Sequence, residues 1–262
     1  MHFIETIILG LIQGVTEFIP VSSSGHLVIA QNFFNGASDH LFLEFINIGT
    51  LLALLVFFRK KIIDITKDVL FNKKFKLAMN ILITAIPAGA IGYLMADFIA
   101  TNAFFGSLNT VALSLGIVGV VMILVEKFPR ASDVSDGKNL SFFRAFVIGL
   151  AQIFALIPGV SRSGATIVAG RLSGMGSAAA AEYSFLASIP IMLGVTLKIF
   201  MSDSNYLFEN FGVLALSNLV AFISGMIAIG FLMKYLSNKS LAIFGWYRLA
   251  LSFILGLIIF IK

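Results

Sequence analysis

The sequence contains no cysteine and few charged residues. Without cysteine, a disulfide framework, a thiolate nucleophile and a zinc–thiolate site are all excluded. Charged residues make up only 12% of the 262 residues and hydrophobic residues make up 59%, whereas soluble domains are about a quarter charged. In water such a chain would present large apolar patches and aggregate. The composition therefore predicts an integral membrane protein.

Histidine is also scarce, since the chain has only His2, His26 and His40. Their scatter along the sequence argues against a histidine-rich metal cluster. The formal net charge of +5 does not indicate a nucleic-acid partner, because the surplus positive charge of a membrane protein usually lies in its cytoplasmic loops. We expect the bilayer, and no nucleic acid, among the partners of this chain.

Six apolar runs approach or exceed the roughly 20 residues that a helix needs to cross a bilayer. They lie near 42–58, 75–99, 109–126, 180–200, 212–236 and 245–261. Two more apolar stretches, 3–19 and 142–157, are broken by IPVSSSG and IPGVSRSG, whose proline, glycine and serine residues interrupt helices. Non-helical backbone inside a membrane must be covered by protein or water. The predicted fold is therefore all-α, with six transmembrane helices and two re-entrant helix–loop–helix hairpins.

The connections between the spans alternate between segments that carry several lysine and arginine residues and segments that carry none. The segments that carry them are 59–76, 127–144 and 234–248, the last of which includes Arg248, and the segments that lack them are 31–41, 98–108 and 202–211. The positive-inside rule places the first set in the cytoplasm and the second set outside. Six spans and two hairpins satisfy this alternation with both termini outside.

The two interrupted segments are copies of one another. Residues 10–25, GLIQGVTEFIPVSSSG, align without a gap on 149–164, GLAQIFALIPGVSRSG, and IGYLM at 91–95 matches IGFLM at 229–233. Each copy holds one hairpin and three spans, and an odd number of crossings inverts the second copy relative to the first.

The repeat predicts the arrangement of the whole chain. We expect a single membrane domain over 1–262, with inverted halves 1–128 and 140–262. The two hairpins would then enter from opposite faces and meet near the midplane, where their polar residues would form one site.

The hairpin segment 10–26 carries a carboxylate, an imidazole and hydroxyls. Its polar candidates are Gln13, Glu17, Ser22, Ser23, Ser24 and His26. An ionisable group at membrane depth is by default a functional candidate, and a hydroxyl with a carboxylate and an imidazole nearby can form an activated nucleophile. Alternatives stay open: Glu17 at a helix end that reaches the interface, serines that only cap helices, and His26 as a packing residue.

The hairpin segment 149–166 carries an arginine among hydroxyls. Its candidates are Ser161, Arg162, Ser163 and Thr166, which follow Pro158-Gly159. Arginine matches phosphate oxygens bidentately, and a glycine-rich turn that opens a helix offers backbone amides to an anion. This segment therefore predicts phosphate binding, with a structural salt bridge from Arg162 to Glu17 as the alternative. Glu44 and Glu182 either line the cavity formed where the two hairpins meet or lie at helix ends in water.

At QGVTEFIPVSSSGH (13–26) and PGVSRSGAT (158–166) the sequence resembles the undecaprenyl-pyrophosphate phosphatases of the bacitracin-resistance type, and FGWYR (244–248) supports the resemblance. It runs over essentially the whole chain. It implies a hydrolase of the bacterial cytoplasmic (inner) membrane that converts undecaprenyl (polyprenyl) diphosphate to the monophosphate and inorganic phosphate. This reaction recycles the lipid carrier for peptidoglycan synthesis, and the active site would face the periplasm or cell exterior.

The resemblance also implies roles for individual residues. Ser23 matches the nucleophile, His26 the residue that assists proton transfer, and Glu17 the second acid of a (Glu/Gln)-x-x-x-Glu element. The substrate-binding positions are Gln13, Ser22, Ser24, Arg162, Ser161, Ser163 and Thr166.

Four points stay open at the level of the sequence. A divalent cation, Mg²⁺ or Ca²⁺, is expected because a diphosphate rarely approaches a carboxylate without one, and Glu17 is its candidate ligand. A transporter or flippase of a phosphorylated lipid is the competing function, because inverted repeats with broken helices are typical of secondary transporters. The choice between a phosphoserine and direct water attack, and the oligomeric state, with a homodimer among the alternatives, are not decided.

Overall fold

A computed structural model describes residues 3–30, 34, 39–128 and 133–261. Within these ranges the regular structure is helical: α1 Phe3–Phe18, α2 Ser23–Ala30, α3 His40–Phe45, α4 Asn47–Phe57, α5 Arg59–Leu70, α6 Lys76–Leu94, α7 Ala96–Thr101, α8 Leu108–Lys127, α9 Phe142–Ile153, α10 Arg162–Leu172, α11 Ser177–Ser202, α12 Ser204–Glu209, α13 Phe211–Leu236 and α14 Ala242–Ile261. The all-α prediction is confirmed.

Six helical stretches of the described chain are long and apolar enough to cross a membrane. They are His40–Phe57, which joins α3 and α4, and the helices α6, α8, α11, α13 and α14. Each coincides with one of the six predicted apolar runs. The prediction of a multi-pass membrane protein with six spans is therefore confirmed.

Both predicted interruptions break the helix where proline and glycine occur. The first helix ends at Phe18 and α2 begins at Ser23, and in the second hairpin α9 ends at Ile153 and α10 begins at Arg162. Both places thus hold a helix–turn–helix hairpin, as the sequence predicts. That the hairpins are re-entrant and related by an inversion stays a prediction.

The first helix of each hairpin packs against a helix from the other half of the sequence. Helix α1 packs along α13, and α9 packs along α6, whereas α8 and α14 pack on each other. A small residue permits the first contact: a Cβ atom added to Gly14 would lie 2.0 Å from Oγ of Ser224 on α13. The two halves are therefore interleaved, and neither hairpin is held by its own half alone.

Two of the basic connections are more ordered than the sequence suggests. Most of 59–76 is the helix α5, which carries no buried residue, and its Lys60 and Lys67 are exposed to headgroups and water. The expectation that Arg248 belongs to a cytoplasmic loop is wrong, because α14 begins at Ala242 and Arg248 is fully buried. The charge of a connection indicates which side of the membrane it lies on. It does not indicate whether a basic residue at the start of the next helix, such as Arg248, faces the protein interior. His2, Arg130 and most of 31–41 lie outside the described residues.

Candidate active site

The turns of the two hairpins have the same local geometry. Ser22 and Ser161 occupy equivalent positions in the repeat, and both have a positive φ, of 77° and 76°. Each side chain accepts a hydrogen bond from the amide three residues later, at 3.2 Å from Gly25 and 3.1 Å from Gly164. This contact satisfies a helix N-terminal amide and offsets the left-handed backbone that serine rarely adopts. The capping alternative thus describes what Ser22 and Ser161 do in the structure.

The two hairpins meet at the carboxylate of Glu17. The Ser23 hydroxyl donates to Oε2 of Glu17 at 2.6 Å, and Nη2 of Arg162 donates to Oε1 at 2.6 Å. The Glu17 side chain is only 11% exposed, so it does not extend to an aqueous interface. The salt bridge from Arg162 to Glu17, given above as an alternative to phosphate binding, is present. The same carboxylate also binds Ser23, so the ion pair brings the candidate nucleophile and the candidate phosphate ligand together.

Ser23 and Arg162 also align on one another in the repeat, and each is the first residue of a helix, α2 and α10. A helix N-terminus carries partial positive charge and unpaired amides that favour an anion. Because both residues touch the same carboxylate, both helix N-termini lie beside Glu17. The site therefore combines two N-termini and one guanidinium around a single acid.

Gln13 orients the carboxylate from the preceding turn of α1. Its amide nitrogen donates to Oε2 of Glu17 at 3.1 Å and to Oδ1 of Asn47 at 2.7 Å. The amide of Asn47 is in turn held by the Leu43 carbonyl at 2.8 Å. An amide at position 13 can donate to the acid, as an ionised carboxylate there could not.

One donor of Arg162 is left without a protein partner. Its Nη1 is buried and has no hydrogen-bond partner in the part of the chain that the structure describes, while Nη2 pairs with Glu17. A buried unpaired donor on a charged group is costly. This nitrogen is therefore a candidate contact for an oxygen of a bound anion.

His26 is held away from Ser23. Its Nδ1 lies 2.7 Å from the Ser22 carbonyl and its Nε2 lies 2.8 Å from the hydroxyl of Tyr247 on α14. Because a carbonyl only accepts, Nδ1 carries the proton, and in the neutral ring Nε2 accepts from Tyr247. The described hydrogen bonds of Ser23 thus lead to Glu17. The sequence assigns Tyr247 no role at this site, since 221 residues separate it from His26.

The remaining hydroxyls occupy different surroundings. Ser163 donates to the backbone carbonyl of Glu17 at 3.3 Å, and Ser24 lies 3.2 Å from the Ser22 hydroxyl. Thr166 is buried, donates to the Arg162 carbonyl at 2.8 Å and contacts the Ser184 hydroxyl on α11. Ser163 therefore contacts the main chain of Glu17 and Ser24 contacts the capping Ser22, whereas Thr166 fixes α10 against α11.

Comparison with known protein families gives a match over most of the chain. The profile of the family described as bacitracin resistance protein BacA matches residues 6–254. The chain belongs to this family.

Relatives of this BacA-family chain align over nearly its whole length. It is 38% identical over 269 residues to Undecaprenyl-diphosphatase 2 of Shewanella oneidensis, with 99% of this chain and 98% of the relative covered. It is 36% identical over 268 residues to Undecaprenyl-diphosphatase of Desulfitobacterium hafniense, with 97% and 95% covered. It is 38% identical over 267 residues to Undecaprenyl-diphosphatase of Clavibacter michiganensis, with 97% and 96% covered.

Glu44 and Glu182 do not belong to the cluster around Glu17. Glu182 pairs with Lys61 at 2.7 Å, and Lys61 also lies 3.4 Å from Asp136. These three residues line a cavity of about 330 Å³ between α5, α11 and the segment before α9. Glu44 is exposed on α3. The alternative of a helix-end position in water describes Glu44, and Glu182 lines a cavity other than the one expected.

The oxygen donors around Glu17 fit only one pattern of cation binding. Within the described residues, no three His, Cys, Asp or Glu side chains are grouped as metal ligands. Both oxygens of Glu17 already accept hydrogen bonds, from Ser23, Gln13 and Arg162. A cation here would take one carboxylate from the protein and most of its ligands from phosphate and water, as Mg²⁺ commonly does.

Proposed function

We propose that this chain hydrolyses undecaprenyl diphosphate, or a related polyprenyl diphosphate, to the monophosphate and inorganic phosphate. The observation that carries the proposal is the unpartnered Nη1 of Arg162 beside the Ser23–Glu17 hydrogen bond. It offers a cation for phosphate and a hydroxyl with an adjacent base inside a membrane chain. The names of the relatives describe a diphosphatase, which favours this function over a transporter or flippase.

In the proposed reaction, Ser23 attacks the terminal phosphorus of the diphosphate. Its Oγ forms the new P–O bond, its proton moves to Oε2 of Glu17 2.6 Å away, and the bond to the bridging oxygen breaks so that the polyprenyl monophosphate leaves. A water molecule then hydrolyses the phosphoserine and releases inorganic phosphate. Glu17 serves as the general base because it is within hydrogen-bond reach of the hydroxyl.

Arg162 and the two helix N-termini would stabilise the transferred phosphoryl group. Catalysis of phosphoryl transfer rests mainly on positioning and on charges placed before the reaction. Arg162 can hold Glu17 through Nη2 and a phosphate oxygen through Nη1, while the starts of α2 and α10 add partial positive charge. Ser24 and Ser163, which follow Ser23 and Arg162 in their helices, would add hydroxyl contacts. The remaining residues would act indirectly: Ser22 and Ser161 cap α2 and α10, Gln13 orients Glu17, and Thr166 holds α10 against α11.

His26 would move protons rather than activate Ser23 directly. Its Nδ1–H is fixed by the Ser22 carbonyl, and its Nε2 exchanges a proton through the Tyr247 hydroxyl. The imidazole lies four residues after the capping Ser22, and in the proposed reaction it would pass to water the proton that Glu17 receives. Glu17 would hold any divalent cation together with diphosphate oxygens and water, and Mg²⁺ fits better than Ca²⁺, which takes 6–8 oxygen ligands. The cation would supply neutralisation of the diphosphate charge.

The setting of the enzyme completes the proposal. The two hairpins would be re-entrant halves of an inverted repeat in a single domain of the bacterial cytoplasmic membrane, with the site open to the periplasm and the polyprenyl tail among lipid-facing helices. The charge of the connections supports this orientation. A homodimer stays a prediction of the sequence, to be tested by the mass of the purified protein.

Phosphate release from purified protein tests the proposal. Wild type, Ser23→Ala and Arg162→Ala are assayed with undecaprenyl diphosphate in detergent, with and without a chelator and with Mg²⁺ or Ca²⁺ restored. We expect release by wild type, loss in both variants and better recovery with Mg²⁺. Bound substrate without release by wild type would refute the phosphatase and favour a transporter. Unchanged release by Ser23→Ala would remove the nucleophile and indicate direct water attack.

A further inference from the structure

Arg248 connects the turns of both hairpins from a position in the protein interior. It lies on α14 and is fully buried. Its Nη1 donates to the Pro20 carbonyl at 2.9 Å, and its Nη2 donates to the Val160 carbonyl at 2.9 Å and to the Gly159 carbonyl. Pro20 belongs to the first turn, and Gly159 and Val160 belong to the second. One guanidinium group therefore binds backbone from both halves of the repeat.

The energetics of this group indicate a specific purpose. None of the ion pairs among the described residues includes Arg248, and its Nε has no hydrogen-bond partner there. Burial of a guanidinium without a carboxylate is costly, and only its hydrogen bonds offset the cost. The planar fork of arginine reaches several acceptors in fixed directions, which a lysine ammonium does not.

The two turns that Arg248 binds are in direct contact. A Cβ atom added to Gly25, at the start of α2, would lie 3.4 Å from Cα of Gly159. Gly159 has φ +92° and a Cβ there would lie 2.8 Å from the Val111 carbonyl. The separation of the turns is thus set by close backbone contacts on one side and by the guanidinium on the other.

The helix that carries Arg248 is itself closely packed. A Cβ atom added to Gly245 would lie 2.7 Å from the carbonyl of Gly119 on α8, so α14 and α8 touch through their backbones. The neighbouring Tyr247 holds His26. Two consecutive residues of the motif FGWYR, Tyr247 and Arg248, therefore contact the hairpins from a helix that is closely packed against α8.

We infer that Arg248 is a positioning residue, which holds the two turns in register so that Ser23 and Arg162 reach the same carboxylate. It acts through the carbonyls of Pro20, Gly159 and Val160 and does not touch the phosphate. This inference rests on the proposed phosphatase function, because its effect on rate is read from that reaction. Its effect on the turns can be read without it.

Variants of Arg248 test the inference on activity. Arg248→Lys keeps the charge but loses the fork, and Arg248→Ala removes both; Ser252→Ala, which removes a 2.7 Å hydrogen bond from the same helix to Ala112 on α8, is the matched control. We expect kcat to fall about 100-fold in both Arg248 variants, with KM close to wild type for Arg248→Lys, which has a lowered melting temperature but stays folded at the assay temperature. Added guanidinium ion should restore part of the kcat of Arg248→Ala, and the control should resemble wild type.

A distance measurement makes the result independent of turnover. Because the chain contains no cysteine, spin labels can be placed at Ile19→Cys and Ile157→Cys, one in each turn. Pulsed EPR should give one narrow distance distribution in the wild-type background and in Ser252→Ala, and a broad or shifted one in Arg248→Lys.

Each other outcome has a definite meaning. Full activity of Arg248→Lys, a raised KM with unchanged kcat, or an unaltered label distance would overturn the inference. Failure of both variants to fold would assign Arg248 to folding and would overturn it as well. Inactive wild type would refute the proposed function, and the label distances would then decide the positioning role alone.

Discussion

The hydroxyl of Ser23 and Oε2 of Glu17 are joined by a hydrogen bond of 2.6 Å. A short bond of this kind to an ionised acceptor is among the stronger protein hydrogen bonds. It makes Glu17, rather than His26, the group that accepts the hydrogen bond of the candidate nucleophile. Arg162 donates to the other oxygen and so fixes the direction of the carboxylate.

Glu17→Gln tests the general base. The amide keeps the size of the side chain but cannot accept a proton, so we expect kcat for phosphate release to fall about 10² to 10⁴-fold. Glu182→Gln is the control, because its carboxylate lies in the cavity with Lys61. Equal loss in both variants would mean that the effect of Glu17→Gln is not local to the site.

Arg162→Lys tests the guanidinium as the phosphate ligand. A lysine can pair with Glu17 or with phosphate but does not present two parallel donors, so we expect kcat to fall about 100-fold. Arg171→Lys is a matched control, because Arg171 is on the same helix and pairs with Glu126 at 3.1 Å in a similarly buried setting. Wild-type kinetics of Arg162→Lys would show that only charge matters at this position.

Tyr247→Phe tests the partner of His26. The change removes only the hydroxyl that lies 2.8 Å from Nε2, so folding should be unaffected. We expect the ¹⁵N chemical shifts of the His26 ring to change at Nε2, with Nδ1 still protonated, and kcat to fall while KM stays constant. An unchanged His26 spectrum would contradict the hydrogen bond.

Gly14→Ala tests the contact between α1 and α13. The added methyl group would lie 2.0 Å from Oγ of Ser224 and 2.5 Å from the Ala221 carbonyl, which should cost about 1–3 kcal/mol of stability and displace Glu17. Gly89→Ala is the control, since no atom lies within 4 Å of its added Cβ. Thermal unfolding in detergent should separate the two. Equal melting temperatures would mean that the helices can move apart freely.

Lys61→Met tests the ion pairs of Lys61 with Glu182 and Asp136. Partial burial lowers the pKa of Lys61, but the hydrogen bond to Glu182 and the charges of Glu182 and Asp136 outweigh it and raise the pKa. A group whose pKa is raised on folding contributes stability that is fully present below its ordinary pKa. That contribution is lost as the pH rises through the folded-state pKa. We expect Lys61→Met to lose up to about 1 kcal/mol at neutral pH, and the difference from wild type to shrink above about pH 10.4.

The same protein with Lys138→Met provides the comparison. Lys138 is 64% exposed and 3.8 Å from Asp136, so its removal should change stability less. Thermal unfolding of wild type and both variants, at neutral pH and above about pH 10.4, measures the difference in stability. A deficit in Lys61→Met that grows with pH would contradict the direction of the pKa shift.

The spans and hairpins were predictable because they follow from local chemistry. Apolar runs near 212–236 and 245–261 need no partner to be recognised, and Pro20 and Pro158 mark the breaks within the repeats. Charge alternation likewise requires only a count of lysine and arginine. These features are written in short stretches of sequence.

Contacts across the fold were not predictable in the same way. The Ser23–Glu17 bond needs the turn at Ser22 with its positive φ, and the partners of Arg248 come from turns 88 and 228 residues away. One signal was available: Arg248 stands within the apolar run 245–261, and an arginine inside such a run is by default functional. Its closeness to the basic segment 234–248 concealed that signal.

The packing of α1 on α13 has a consequence for biosynthesis. A ribosome makes the chain from its N-terminus, so α1, with Glu17 at its end, is complete before any of residues 211–236 exist. Until α13 arrives, the face of α1 at Gly14 lacks the helix against which it packs. We therefore expect a chain terminated before residue 211 to contain Ser23, Glu17 and Arg162 and to lack activity.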